Sequence, residues 1–169
     1  MTEQQCFSKM NSGLVQDSKT QKLADQRWAI LDVEFIRTAK RHRCVRKLYI
    51  LTENGFDMEM EFYPCKRYRD LMLKYRRSFQ FCRQHIHKLN YTPCGISVPC
   101  LQAVPMMNKF IVDNDIELVL YKGGTIEKDL CRELDVDCMN IECFEGIEKA
   151  SSHDPREEVN FYYNQLIRI

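Results

Sequence analysis

The stretch Trp28-Ala29-Ile30-Leu31-Asp32-Val33-Glu34-Phe35-Ile36 governs how the rest of the chain is read. It is apolar throughout except at Asp32 and Glu34, and its length and β-branched content predict a strand. In a strand, positions i and i+2 share a face, so the two carboxylates lie side by side on one surface of a sheet. Carboxylates set inside an apolar strand are costly unless something compensates them. Either that face meets solvent, or a divalent cation offsets the repulsion between the two acids.

Working outward, Arg37 to Arg43 reads as a basic turn, Cys44 to Thr52 as a second strand and Phe56 to Tyr63 as a third, with Glu53-Asn54-Gly55 as a hairpin signal between them. Lys66 to Leu89 has helical spacing, with Tyr68, Leu71, Met72, Tyr75, Phe79, Cys82 and Ile86 as its apolar stripe. A loop rich in Pro, Gly and Cys covers Tyr91 to Cys100, and Leu101 to Val112 follows as a helix with Pro105 near its first turn. Glu117 to Tyr121 is a short strand, Thr125 an N-cap for a helix from Ile126 to Leu134, and Asp137 to Phe144 a fifth strand. The last helix opens at Pro155, with Asp154 as its cap. The order β-β-β-α-α-β-α-β-α implies one α/β domain over residues 27–169, preceded by a loose polar arm over residues 1–26. A hairpin-linked trio followed by alternating helices and strands makes a mixed sheet flanked by helices, the order found in the ribonuclease H-like fold.

Three segments together resemble the DEDDh 3′–5′ exonucleases. Leu31-Asp32-Val33-Glu34-Phe35 is similar to that family's first motif, a hydrophobic strand carrying D-x-E. Val119 to Leu130 is similar to the second, with Ile126 and Glu127 in the places of an aromatic and an Asp, and Asp129 as the nearest substitute for Glu127. His153 and Glu158, with four residues between them, have the spacing of the third motif, with Glu for Asp. The resemblance spans about residues 28 to 166. It implies that Asp32, Glu34, Glu127 and Glu158 hold two Mg²⁺ or Mn²⁺ ions and that His153 serves as general base on the attacking water, a task suited to imidazole. The expected substrate is single-stranded RNA or DNA. The two Glu-for-Asp departures put catalytic geometry in question, because small misplacements cost large factors in rate. A decayed domain that binds nucleic acid or protein is therefore the alternative.

The charge distribution bears on the same expectation. Between Arg37 and Lys88 lie 14 of the 25 Lys and Arg residues, whereas Ile111 to Ile169 carries 14 acids against 6 bases. Arg37, Lys40, Arg41 and Arg43, just after the acidic strand, and Lys122 are the candidate phosphate contacts. Solvated faces account equally well for any single basic run. Cys82, His85, Cys94 and Cys100 have ligand types that can hold zinc, and a ribonuclease H-like domain with a Cys/His zinc site occurs in the Maelstrom family, which the chain resembles in outline. Cys82 also falls on the apolar stripe, where a core thiol is the simpler reading. Lys122-Gly123-Gly124-Thr125 lacks the G-x4-G-K-[ST] pattern, which argues against a P-loop. Nine cysteines with no secretory signal at the polar N-terminus, and no apolar run of membrane-spanning length, point to a reducing compartment, cytosol or nucleus.

Overall fold

The computed structural model describes residues 18–168. Residues 18–25 are helical (α1), so that part of the expected loose arm is ordered, while residues 1–17 lie outside the described residues. The sheet has six strands: β1 (Trp28–Ala39), β2 (His42–Thr52), β3 (Asp57–Tyr63), β4 (Ser97–Pro99), β5 (Leu118–Tyr121) and β6 (Asp137–Asn140), in the order β4-β3-β2-β1-β5-β6. β1, β2 and β3 are antiparallel neighbours; β5 is parallel to β1, β6 to β5 and β4 to β3. The expected mixed sheet flanked by helices is therefore present.

The helices are α2 (Leu73–His85), α3 (Ala103–Asp113), α4 (Thr125–Cys131) and α5 (Pro155–Leu166). β1 is central and covered on both faces, which is why its sequence is apolar at both parities. Ala29, Leu31 and Val33 pack towards α3 and α4, against Met107, Ile111 and Leu130. Trp28 and Ile30 face the other way, towards Val159, Tyr162 and Leu166 of α5. A third cluster (Ile36, Leu71, Tyr75, Phe79 and Tyr91) seats α2 over the far end of β1. Among the described residues no helix is long and apolar enough to cross a membrane.

Several boundaries differ from the sequence reading, each for a local reason. The basic segment 37–43 is mostly strand, with Lys40 and Arg41 alone forming the turn. The helix expected over 66–89 breaks in two: a 3₁₀ turn at Tyr68–Asp70, then α2, because Leu71 and Met72 are extended. Met72 is consequently 62% exposed rather than part of the stripe. β4 lies within the stretch read as a loop; three residues are too few to show a period. The helix after it opens as a 3₁₀ turn at Cys100–Gln102 and becomes α-helical at Ala103. The strand expected to reach Phe144 ends at Asn140, where Asn140 caps a 3₁₀ turn by accepting from the Glu142 N–H. Gly124, not Thr125, is the N-cap of α4. The Asn54-Gly55 hairpin turn forms as expected, with Gly55 at φ +83°.

Candidate active site

The acidic site begins where the α5 face of β1 stops being apolar. Trp28 and Ile30 bury against α5; Asp32 and Glu34 continue the same parity past the end of that contact. Directly across on β2, Asp32 pairs in register with Tyr49 and Glu34 with Lys47. The register then slips at Glu34/Phe35, a bulge that leaves Arg46 as the extra residue. Arg46 is 2% exposed and is held by the Asn90 carbonyl at 2.8 Å and Glu61 at 3.0 Å.

Two further acids arrive from helix starts. Glu127 lies in the first turn of α4, and its Oε2 accepts from the Gly124 N–H at 3.0 Å. Gly123, at φ +140°, makes this possible: a Cβ there would stand 2.5 Å from the Glu127 carboxylate. Asn140 fixes the same loop by donating to the Gly123 carbonyl at 3.1 Å. Glu158 lies in the first turn of α5 and is 5% exposed. Asp154 caps that helix, accepting from the N–H groups of Arg156 and Glu157 at 3.0 and 3.3 Å, with Pro155 at the first helical position as the sequence predicts.

Asp32, Glu34, Glu127, Glu158 and His153 line one cavity of about 230 Å³, together with Lys122 and Gly123. His153 is exposed at its rim. The four acids feel one another. Burial raises the Asp32 carboxyl well above its ordinary value, and the charges of Glu158, Glu34 and Glu127 raise it further. Glu34 is pushed up to about 7 by burial and then by Glu158, Glu127 and Asp154, with Lys47 opposing.

Two lysines that sequence reasoning left in other roles or missed are part of this arrangement. Lys122, read as a phosphate contact, points inward: its Nζ stands 2.7 Å from Glu158 Oε1. That oxygen is buried, and the Lys122 ammonium is its close partner; against burial, hydrogen bond and charge from Glu158 hold the lysine above its ordinary value. Lys47 bonds Asp154 at 2.6 Å and Glu59 at 3.1 Å, tying β2 and β3 to the start of α5. Burial works against the Asp154 carboxylate, but the Lys47 hydrogen bond and charge hold it below the usual range. The only sequence signal for Lys47 is an Arg46-Lys47 pair ahead of the apolar run Leu48 to Leu51 of the same strand.

The donor set is all carboxylate oxygen, the ligand type that hard divalent cations take, but among the described residues no three of these acids bring ligand atoms within 4.8 Å of one another, and Lys122 already pairs with Glu158. Asp129, the substitute for Glu127, is not brought in. It is exposed, pairs with Arg132 at 2.8 Å and lines a different cavity.

Arg37, Lys40, Arg41 and Arg43 are all exposed around the β1–β2 turn. Phe35 and Ile126 line the acidic cavity and also both neighbouring cavities, one bordered by Arg37 and Arg43 and the other by Arg41 and Arg43. The basic hairpin is thus connected to the acids along one surface.

The four residues expected to hold zinc do not gather. His85 stacks on Phe81 with ring centroids 4.7 Å apart, and the Cys94 thiol accepts from Asn90 at 3.4 Å. Cys100 sits instead with Cys44 and Cys65, a cluster that could hold a metal ion. Among the described residues it is the one trio of His, Cys, Asp or Glu whose ligand atoms all lie within 4.8 Å of one another. No spacing rule could have found it, because the three thiols are 21 and 35 residues apart.

No protein-family model matches this chain, and a comparison with curated proteins finds no match.

Proposed function

We propose that the chain is a divalent-metal-dependent 3′–5′ exonuclease acting on single-stranded RNA or DNA, built on a ribonuclease H-like sheet and working in the cytosol or nucleus. One observation carries this: four acids from three distant segments line a single cavity with a histidine at its rim. Asp32, Glu34, Glu127 and Glu158 would hold two Mg²⁺ or Mn²⁺ ions. Bound there, the cations supply acidification of a water and neutralisation of charge building on the phosphodiester. The chain's own residues do the remainder. His153, exposed at the rim, takes the proton from the attacking water. Lys47 and Asp154 fix the start of α5 and thereby position His153 and Glu158. Arg37, Arg41 and Arg43 border the surface along which the strand's phosphates reach the acids, with Lys40 beside them at the turn.

Labelled single-stranded RNA and DNA, incubated with Mn²⁺, should shorten from the 3′ end, and Asp32→Ala should abolish shortening while leaving the fold intact by circular dichroism. Wild-type protein that binds the strand and leaves it full length in Mn²⁺ defeats the exonuclease reading.

That outcome would favour a second reading, a nucleic-acid- or protein-binding domain whose catalytic site has decayed. The Lys122–Glu158 ion pair supports it, because an ammonium stands where a cation's charge is needed.

A further inference from the structure

The three clustered thiols come from three separate pieces of chain at one end of the sheet. Cys44 lies near the start of β2, Cys65 in the segment that leaves β3, and Cys100 in the 3₁₀ turn that follows β4. Their burial differs in step: Cys44 is buried, Cys100 half-buried and Cys65 exposed. The sulfurs of Cys65 and Cys100 are 2.8 Å apart, and all three lie within 4.8 Å of one another. His42 Nδ1 stands 3.8 Å from the Cys44 sulfur, on the side that opens to the cavity shared by His42, Cys44 and Cys100.

From these positions we infer that Cys44, Cys65, Cys100 and His42 form a structural zinc site that staples β2, the exit of β3 and the turn after β4. Tetrahedral zinc with Zn–S near 2.3 Å and Zn–N near 2.0–2.1 Å needs ligand edges of about 3.8 Å between sulfurs and about 3.6 Å between sulfur and nitrogen. The Cys44–His42 separation of 3.8 Å is close to its edge, but His42 stands outside the trio whose ligand atoms lie within 4.8 Å of one another, so its ring has to swing towards Cys65 and Cys100. Cys65, on an exposed loop, has to move away from Cys100 by about 1 Å to match the other. Three thiolates and an imidazole are the ligands of a closed Cys₃His site and favour zinc over the hard cations suited to the carboxylate cavity. His42 gives up its contact with Thr38 Oγ1, 2.6 Å away, when it turns to the metal. Each thiol releases its proton on binding, so zinc uptake is accompanied by proton release and weakens at low pH.

The site has consequences for the basic hairpin. Arg41 and Arg43 flank His42, so a metal there holds the turn that carries them. The segment from Pro64 to Met72 is otherwise anchored by the aromatic cluster of Tyr68, Phe79 and Tyr91 and by the Tyr91 hydroxyl donating to the Lys66 carbonyl at 2.8 Å.

The test uses the whole chain, purified under reducing conditions, with zinc measured by elemental analysis. One zinc per chain is expected, falling to background in Cys65→Ser and Cys100→Ser and unchanged in Cys82→Ser and Cys94→Ser. His42→Ala should keep the three sulfurs and release zinc to a chelator at lower chelator concentration than wild type. In case a serine variant fails to fold, wild-type protein loaded with Co²⁺ should show intense thiolate-to-cobalt absorption and a tetrahedral visible band, both lost on adding excess Zn²⁺. A folded wild type that takes up neither Zn²⁺ nor Co²⁺ overturns the site. So does zinc that survives Cys65→Ser and Cys100→Ser, or a Cys65–Cys100 disulfide in the reduced protein as purified.

Discussion

The acidic cavity and the thiol cluster sit on the same sheet but solve opposite problems. Around Asp32 the chain concentrates like charge in a place that water barely reaches, and it offsets that charge incompletely, with Lys122 against Glu158 and Lys47 against Asp154. Around Cys44 the side chains brought together are three thiols and an imidazole, with no carboxylate among them. A cation in the first place relieves repulsion that already exists, whereas in the second it creates the charged ligands it needs. Under the proposed function the first arrangement would give up stability for chemistry, and with zinc in the inferred site the second would gain stability from a metal.

The sharpest way to break this contrast is Asp32→Asn. Metal-dependent hydrolysis should fall on the order of 10⁴-fold, the scale at which single members of a catalytic constellation fail. The metal-free protein should nevertheless melt at the same or a higher temperature at pH 8, because one buried acid among four has gone. If Asp32→Asn lowers the melting temperature of the metal-free chain, the acids are not straining it. At the thiol cluster the sign reverses. Stripping zinc should lower the melting temperature by on the order of 10 °C, several kcal/mol at about 2–4 °C per kcal/mol for a chain this long.

Lys122→Met sharpens the comparison from the other side. It leaves Glu158 buried without its cation, and breaking such a pair costs about 3–5 kcal/mol when both partners are wholly buried. Because the Lys122 side chain is 26% exposed, about 1–3 kcal/mol is expected in denaturant unfolding of the metal-free protein. Mn²⁺ should restore that loss and bind more tightly than to wild type, since the resident ammonium no longer competes. Weaker Mn²⁺ binding by Lys122→Met would mean that the lysine assists the cation instead.

A smaller effect follows from pH. Folding raises Glu34 from 4.5 to about 7, and Asp32 is raised as well. A raised carboxyl contributes stability that is complete below its unfolded value and is lost as pH climbs through the folded one. Asp154 is shifted the opposite way and stays ionised above pH 5, while Lys47 and Lys122 are raised and stay charged below pH 8. Between pH 5 and pH 8 the contribution of Glu34 and Asp32 to the metal-free chain should therefore fall, with His87, held below the usual imidazole value by burial and Arg46, acting the other way, and the stabilisation given by Mn²⁺ should grow over the same interval. Thermal melts of wild type and Glu34→Gln, with and without Mn²⁺ at both pH values, measure this, and the same pH response in both proteins would show that Glu34 does not carry the effect.

The two regions also differ in how much of them could be read beforehand. Asp32 and Glu34 announce themselves because a strand apolar at both parities has no ordinary use for two acids, and Glu158 falls in the first turn of a helix whose Asp-Pro start is plain, with His153 just before its cap. Lys47 was harder to see, because its partners Glu59 and Asp154 are set by cross-strand register and by where α5 lands, not by anything local. The thiols were harder still. Cys44, Cys65 and Cys100 belong to β2, to a segment after β3 and to a turn after a strand of three residues, too short to show a period. The helix expected over 66–89 differs because its apolar stripe continues through Leu71 and Met72, whereas the backbone is extended at both, with Leu71 in the third cluster and Met72 exposed.

The smallest expected effect discriminates most finely. Glu127 and Asp129 are two residues apart on α4, which places them about 200° apart around the helix. One carboxylate folds over Gly123 into the acidic cavity, and the other reaches outward to Arg132 at 2.8 Å. Glu127→Gln should impair hydrolysis severely, whereas Asp129→Asn should leave the rate within about a factor of two, as for an exposed substitution worth no more than ~0.5 kcal/mol. A double variant should then behave like Glu127→Gln alone, since residues without shared partners act independently. If Asp129→Asn proved the more damaging, the metal-holding face of α4 would be the one towards Arg41 and Arg43, and the cavity at Asp32 would have only three of its acids.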